Sequence, residues 1–242
     1  MENIKILDLF SGIGGFSLAG KWAGYETVGF CEIDKYCQKV LRKNFPNVPI
    51  FDDIRKLSRS DIDGAIDVIT GGFPCQPFSV AGRKKGTQDD RDLWPEMFRV
   101  IKEFKPTWVV GENVANFVSM AFQRTKTDLE SEGYEVQPFI VPACSVNAPH
   151  KRDRVWIMAY ANNKRFSRFQ QSNTNTVQSS KKERFSVRGF NYDYEMEYPN
   201  IPKNIRVDDG LPHRVDRVRA LGNSIVPQVA YQILKAIKDI DL

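Results

Sequence analysis

The sequence has few residues that could bind a metal ion and few that could form disulfides. Its 242 residues include only two histidines and four cysteines. None of these falls in a paired C-x-x-C or H-x-x-x-H spacing, so we expect no metal site. Few cysteines and no signal peptide are typical of a cytosolic chain, so we expect no disulfides. Any cysteine chemistry would therefore be that of a thiolate.

Long apolar segments are also missing. No apolar run approaches the roughly 18 residues that span a bilayer, so we expect a soluble, cytoplasmic protein with no membrane partner. The formal net charge of +5 and the pI of about 8.9 permit a nucleic-acid partner but do not require one. The length allows one substantial core with a small appendage.

The apolar patterns predict strands that alternate with helices over most of the chain. The predicted strands are 4–10, 27–32, 48–51, 68–71, 108–114, 134–142 and 155–160. The predicted helices run up to Trp22, then over 34–45, 93–104, 117–132 and 228–239, and we interpret 218–227 as a turn. Returning apolar periodicity after Pro227 indicates that the chain ends by rejoining the core.

Glycines and acids follow the first three predicted strands. Gly12 and Gly14 lie between a strand and a helix, where free backbone N–H groups favour a polar or anionic ligand. Glu32 ends the next strand, where an acid in an open α/β sheet reaches the ribose hydroxyls of a nucleoside-bearing cofactor. Asp52 and Asp53 follow the third strand, and one could meet an adenine amino group. The alternatives are a plain strand-to-helix connection for the glycines, a solvated strand end for Glu32, and a pair that caps the turn at 54–57 for Asp52 and Asp53.

A turn-rich segment holds one thiol between two prolines. It runs G-G-F-P-C-Q-P-F-S over residues 71–79 and contains Cys75. The prolines restrict the backbone on both sides of the thiol. The basic segment that follows has glycines that could hinge over a polyanion. A buried, inert turn cysteine is the alternative for Cys75 taken alone.

Glu112 and a basic pair lie around the later strands. Glu112 is near the end of an apolar strand, where desolvation would raise its pKa and make it a proton donor at neutral pH. A structural, hydrogen-bonded glutamate is the alternative. Arg152 and Arg154 would share one face of an extended chain and suit a carboxylate, a phosphate or a base edge.

The composition changes after Ala161. Residues 162–180 are rich in Asn, Gln, Ser and Thr and cannot form a core of their own. Phe166, Phe169 and Phe185 are interleaved with basic residues, which indicates a segment facing nucleic acid, with a solvated insertion as the alternative. We therefore divide the chain into 1–160, a short recognition region at 161–212, and a returning segment at 213–242.

In order along the chain, these motifs resemble those of the DNA (cytosine-5) methyltransferases. The resemblance rests on F-S-G-I-G-G at 10–15, Glu32, D-I at 53–54, P-C-Q at 74–76, E-N-V at 112–114, R-x-R at 152–154 and G-N-S at 222–224. It covers roughly residues 4–160 and 210–240, and the short region between them resembles the compact recognition segments of prophage-encoded or orphan members. His150 departs from the Gln of many members, and no convincing ninth motif precedes Gly222.

The resemblance implies a fold, a cofactor and a partner. The fold would be the Rossmann-like α/β fold of S-adenosylmethionine-dependent methyltransferases, a mostly parallel sheet with helices on both faces, plus a small irregular recognition region. The partner would be double-stranded DNA. We expect a monomer that is bacterial or prophage-encoded and associated with the nucleoid.

The resemblance also implies roles for individual residues. The cofactor, S-adenosyl-L-methionine, would be bound by Phe10, Gly12, Gly14, Glu32, Asp53, Ile54, Pro74, Asn223 and Ser224. Cys75 would be the nucleophile, Glu112 would hydrogen-bond the target base, and Arg152 and Arg154 would support it. Ser79, Arg83 and Arg91 would contact DNA.

Three other functions remain open from the sequence. A cytosine-5 methyltransferase acting on RNA would share the same motifs. A catalytically silent DNA-binding regulator would retain the scaffold, although Cys75 and Glu112 argue against it. A nicotinamide dehydrogenase would explain the glycine turn and Glu32 but not the thiol.

Overall fold

The computed structural model describes residues 3–74, 92–161 and 214–241. These residues belong to one of the two units into which the chain divides, Met1–Ala161 with Pro212–Leu242. The other unit, Asn162–Leu211, lies outside the described residues. Cys75, Ser79, Arg83 and Arg91 also lie outside them, so their roles stay predictions.

Seven strands of the described chain form a single sheet in the order β3-β2-β1-β4-β5-β7-β6. The strands are β1 (Lys5–Leu9), β2 (Glu26–Cys31), β3 (Ile50–Phe51), β4 (Val68–Gly71), β5 (Trp108–Val114), β6 (Tyr134–Val141) and β7 (Arg154–Ala161). The strand pairs β3–β2, β2–β1, β1–β4 and β4–β5 are parallel. Strand β7 runs antiparallel to both β5 and β6. The predicted mostly parallel sheet is confirmed.

Helices pack on both faces of the sheet. They are α1 (Gly15–Ala23), α2 (Lys35–Asn44), α3 (Trp94–Phe104), α4 (Phe117–Met120), α5 (Phe122–Ser131), α6 (Arg214–Asn223) and α7 (Pro227–Asp241). Because strand side chains alternate, Ile6 lies in one apolar cluster with residues of α1 and α7, and Leu7 lies in another with residues of α3 and α5. The predicted helices on both faces are therefore present.

Two sequence-based predictions of helices were wrong in detail. The helix predicted over 117–132 breaks at Ala121, whose φ of −142° is not helical. Phe117 and Phe122 are both buried, and five residues along one helix would place them on different faces, so the break lets both reach the core. The segment interpreted as a turn at 218–227 instead begins inside α6, whose amphipathic periodicity is too weak to have revealed it.

The carboxyl ends of the five parallel strands meet at one edge of the sheet. These strands are β3, β2, β1, β4 and β5. Leu9 pairs in register with both Cys31 and Gly71, and Gly71 pairs with Gly111. The chain after each of these strands therefore emerges at the same edge. In open α/β sheets this edge is where ligands bind.

Candidate active site

The loop after β1 has the backbone geometry of a ligand cradle. Phe10 has a φ of 51°, and Gly12 and Gly14 have φ of 53° and 89°. Positive φ is rare for a phenylalanine, and such strain concentrates at functional sites. A Cβ added at Gly12 would meet no atom within 4 Å, so the space beside this turn is open. The geometry suits a ligand that approaches the backbone closely.

Glu32 lies against this loop. Its Oε2 accepts a hydrogen bond from the Gly12 N–H at 2.7 Å, and its Oε1 accepts one from the Asp34 N–H at 2.7 Å. Partial burial raises the pKa of Glu32, while these two hydrogen bonds act in the opposite direction. Each carboxylate oxygen can accept a second hydrogen bond, so Glu32 holds the loop and can still receive hydroxyl donors.

Asp53 and Ile54 occupy the turn after β3. Asp53 Oδ1 accepts from the Arg55 N–H at 3.0 Å, so the capping role weighed from the sequence is present. The Ile54 side chain is buried in the core, and its carbonyl accepts from Arg99 Nη2 at 2.6 Å. Any ligand contact by Ile54 would therefore fall mainly to its backbone.

A cavity of about 360 Å³ lies between α2 and this turn. It is lined by Lys35, Gln38, Arg42, Ile50, Phe51, Asp52, Asp53, Lys56, Leu57 and Asp61. The lining includes Asp53 but not Gly12 or Glu32. The cavity thus adjoins the crevice at the sheet edge and does not coincide with it.

Glu112 near the end of β5 forms the second part of the site. Its Oε1 lies 3.0 Å from Arg154 Nε. Burial raises the pKa of Glu112 to about 7, against the opposing effects of the Arg154 and Arg152 charges. A Cβ added at Gly72 would lie 3.4 Å from Glu112 Oε2, so the carboxyl adjoins the segment that leads to Cys75. A carboxyl with this pKa can carry and donate a proton near neutral pH.

The two arginines do not share a face of one strand, contrary to the sequence-based interpretation. β7 begins only at Arg154, and Arg152 has a φ of 40°, so the alternation rule does not apply to it. Arg154 pairs with Glu112, whereas Arg152 Nη2 donates to the carbonyls of Gly222 and Ser224 at 2.8 Å each. Both charges nevertheless lie close enough to lower the pKa of Glu112.

Pro74 is the last described residue before Cys75, and the chain there is held on both sides. Its carbonyl accepts from the Leu93 N–H at 3.4 Å, which brings together the two described ends that flank residues 75–91. Phe73 packs against Trp94 and Phe117, with ring centroids at 5.1 and 5.4 Å. The chain that enters the predicted nucleophile loop is thus fixed beside Glu112.

Sequence reasoning gave no role to two buried polar residues that support the site. Asn113 Nδ2 donates to the Phe73 carbonyl at 3.0 Å. Asp8 accepts from Ser17 Oγ at 2.8 Å and from Thr70 Oγ1 at 2.9 Å. A polar residue inside an apolar strand pattern is the signal that could have revealed both, since buried polar groups need partners.

Cys31 and Cys37 do not have the properties of nucleophiles. Burial is the main cause that raises the pKa of each thiol to about 12. Thiols that hold their protons this strongly are inert near neutral pH. Of the described residues, no group of three or more His, Cys, Asp and Glu could hold a metal ion. No helix of the described ranges has the length and apolar character to cross a membrane.

The sheet, the cradle after β1 and the acids at the strand ends define a Rossmann-like methyltransferase fold. The model for C-5 cytosine-specific DNA methylases matches residues 4–209. This match spans most of the chain, so the chain belongs to the C-5 cytosine-specific DNA methylase family.

The match to each relative covers only part of that relative's length. Type II methyltransferase M.HhaI of Haemophilus parahaemolyticus is 34% identical over 175 residues, which are 70% of this chain and 53% of that protein. Type II methyltransferase M.PspPI of Psychrobacter sp. (strain TA137) is 39% identical over 164 residues, 65% of this chain and 39% of that protein. The chain therefore spans about half or less of the length of these relatives.

A solved structure has the same fold. It is a mutant DNMT2 of Spodoptera frugiperda, which is 26% identical with a TM-score of 0.56 and covers 66% of this chain and 50% of that one.

Proposed function

We propose that this protein transfers a methyl group from S-adenosylmethionine to carbon 5 of cytosine in duplex DNA. The observation that carries the proposal is the Glu112 carboxyl. It is buried at the sheet edge, has a pKa of about 7, and lies beside the segment that leads to Cys75. Family membership supports the same activity.

The residues around the loop after β1 fit the cofactor. The open space beside Gly12 and the acceptor oxygens of Glu32 suit a ligand with an adenosine and an amino-acid end. Phe10, Gly12 and Gly14 would line its pocket, with Glu32 at the ribose hydroxyls and Asp53 at the adenine. Pro74, Asn223 and Ser224 would complete the site near the methionine end. When bound, the cofactor supplies a methyl group on a positively charged sulfur.

The chain itself would activate the base. The Cys75 thiolate would form a bond to carbon 6 of cytosine, which makes carbon 5 nucleophilic. Protonated Glu112 would hydrogen-bond ring nitrogen 3 and stabilise the charge that develops there, a contribution typically worth about 10²–10⁴-fold. Arg154 would hold Glu112 in place. Elimination of the thiol after loss of the carbon-5 proton would free the product.

The target base must leave the helix, because a stacked cytosine does not expose its ring face. Flipping costs a few kcal/mol, which contacts to the DNA backbone must offset. Ser79, Arg83 and Arg91 would supply such contacts, and residues 161–212 would read the sequence. The relatives described above are named Type II methyltransferases. We therefore favour a role in DNA modification, in a restriction–modification setting.

Labelled methyl transfer tests the proposal. The full-length protein, with S-adenosylmethionine carrying a labelled methyl group, is incubated with duplex DNA and, separately, with transfer RNA. We expect label at carbon 5 of cytosine in the DNA. The Cys75→Ala variant should lose methyl transfer, while calorimetry shows cofactor binding like that of the wild type.

Two outcomes would contradict the proposal. Label found only in RNA would favour the RNA-modifying alternative. Normal methylation by Cys75→Ala would exclude the thiolate mechanism.

A further inference from the structure

Arg152 contacts backbone groups that belong to the proposed cofactor site. Its Nη2 donates to the Gly222 carbonyl and to the Ser224 carbonyl, both at 2.8 Å. These carbonyls lie at the end of α6, where the last carbonyls of a helix have no partner within the helix. A cation at this end is also favoured by the helix dipole. Arg152 thus acts as a side-chain cap for α6.

The same segment packs against α1 through different atoms. A Cβ added at Gly15 would lie 2.6 Å from Ile225 Cγ1 and 3.5 Å from Ser224 Oγ. Gly15 is the first residue of α1 and directly follows the loop that contains Gly12 and Gly14. The segment 222–225 therefore lies against the first residue of α1, directly after the loop that contains Gly12 and Gly14, while Arg152 holds the carbonyls of Gly222 and Ser224.

The backbone of Arg152 is strained, and its neighbour belongs to the base site. Its φ of 40° lies in the left-handed region, which is unfavourable for a residue with a side chain. Such a conformation persists where the surroundings determine it. Two residues later, Arg154 pairs with Glu112. One short stretch of chain thus connects the Glu112 carboxyl with the segment 222–225.

We propose that Arg152 is a positioning residue that fastens the segment 222–225 against the first turn of α1 and so completes the cofactor site. The inference rests on the proposed function and assigns Arg152 to the cofactor side of the site, with Arg154 forming the ion pair with the Glu112 carboxyl. It also gives the chain a physical link between the proposed cofactor site and the proposed base site, because Arg152 and Arg154 lie two residues apart in one segment.

The test compares Arg152→Met with the matched control Arg59→Met. Arg59 also donates to two carbonyls, those of Ile62 and Gly64, at 2.5 and 2.8 Å. It lies outside the residues proposed for the site. Two measurements are made on the full chain: hydrogen exchange of the amides in 221–230 without cofactor, and calorimetric binding of S-adenosylmethionine.

We expect Arg152→Met to accelerate exchange in this segment about tenfold or more and to raise the cofactor Kd by a similar factor, because two charge-assisted hydrogen bonds are lost. Arg59→Met should change neither. Arg152→Lys, which keeps the charge, should recover part of the affinity. At saturating cofactor, kcat of Arg152→Met should fall less than its KM for the cofactor rises.

Unchanged exchange in 221–230 would overturn the proposal, because the segment would then be held without Arg152. An unchanged Kd with a large loss of kcat would assign Arg152 to the base. If the wild type bound no S-adenosylmethionine, the proposed function would fail, and the exchange measurement would still decide whether Arg152 holds the segment.

Discussion

Glu112 is a buried carboxyl whose pKa lies near neutral pH. Burial raises its pKa to about 7, and the Arg154 guanidinium 3.0 Å away acts in the opposite direction. The balance between burial and the charges of Arg154 and Arg152 sets the fraction of Glu112 that is protonated at neutral pH. In the proposed reaction Glu112 donates a hydrogen bond to the base, and such a group works best when its pKa lies near the working pH.

The first prediction concerns Arg154. Arg154→Met removes the positive charge beside Glu112, so the carboxylate is less stabilised and the pKa of Glu112 rises. Because protonated Glu112 is the active form in the proposed reaction, activity falls as the pH rises through this pKa. The high-pH limb of kcat/KM against pH should therefore move to higher pH, with a maximum about tenfold or more below that of the wild type.

Steady-state methylation of DNA between about pH 5.5 and 9.5 measures this shift. Arg59→Met, which lacks contact with the site, is the control and should keep the wild-type midpoint. A midpoint in Arg154→Met that stays unchanged or moves to lower pH would contradict the role given to the pair.

At the scale of elements, β4 and β5 together fix the chain that enters the predicted nucleophile loop. β5 supplies Asn113, whose side chain donates to the Phe73 carbonyl just beyond β4. Trp94 at the start of α3 packs on the Phe73 ring, and its Nε1 donates to Asp128 Oδ2 at 2.7 Å. The chain that follows residues 75–91 is held by an ion pair between Asp92 and Arg124 at 2.7 Å. Neighbouring elements thus constrain both flanks of residues 75–91.

The second prediction tests this support. Asn113→Ala removes the donor to the Phe73 carbonyl, so the thiol two residues further along is less well placed. We expect kcat to fall about tenfold or more, because small displacements of reacting groups are costly. The cofactor Kd should change little, since Asn113 lies on β5, which β4 separates from β1 in the sheet.

The control for this prediction is Asn116→Ala, an exposed residue of the same region whose side chain does not cap α4. Single-turnover methylation and calorimetry give the two quantities. If Asn113→Ala kept the wild-type kcat, the hydrogen bond to Phe73 would have no part in placing the thiol.

At the scale of the whole molecule, a buried carboxyl connects stability with pH. Asp8 is fully buried in β1 and accepts from Ser17 in α1 and Thr70 in β4. Burial raises the pKa of Asp8 to about 7, against the opposing effect of these hydroxyls. The unfolded chain has an aspartate pKa of about 3.9. The folded state therefore holds this proton to a higher pH than the unfolded state does.

The third prediction follows from this difference. The contribution of Asp8 to stability is fully present below about pH 4 and is lost as the pH rises through about 7. Asp8→Asn cannot titrate, so its free energy of unfolding should fall less between pH 4 and 7 than that of the wild type. Urea unfolding at several pH values measures the slope.

Glu112→Gln, measured in the same way, separates the contribution of the other buried carboxyl, whose pKa is raised in the same direction. Equal slopes in Asp8→Asn and the wild type would show that Asp8 does not hold its proton in the folded state.

The sequence by itself determined the strands, the cradle after β1 and the acids at the strand ends. Apolar runs, glycines and isolated acids are local patterns, and parallel strands bring their carboxyl ends to one edge. The positions of Glu32 and Glu112 near the ends of their strands could therefore be predicted. The helices on both faces of the sheet were implied by the family resemblance.

Only the tertiary structure decided which partners these residues have. The contacts of Arg152 with Gly222 and Ser224 join residues about 70 positions apart, and no local pattern encodes such a pairing. The pKa of Glu112 likewise depends on burial and on a guanidinium from another strand. Helix α6 was missed because its amphipathic periodicity is weak. The chemistry of single residues follows from the sequence. The pKa of Glu112 and the contacts of Arg152 with the segment 222–225 depend on long-range packing.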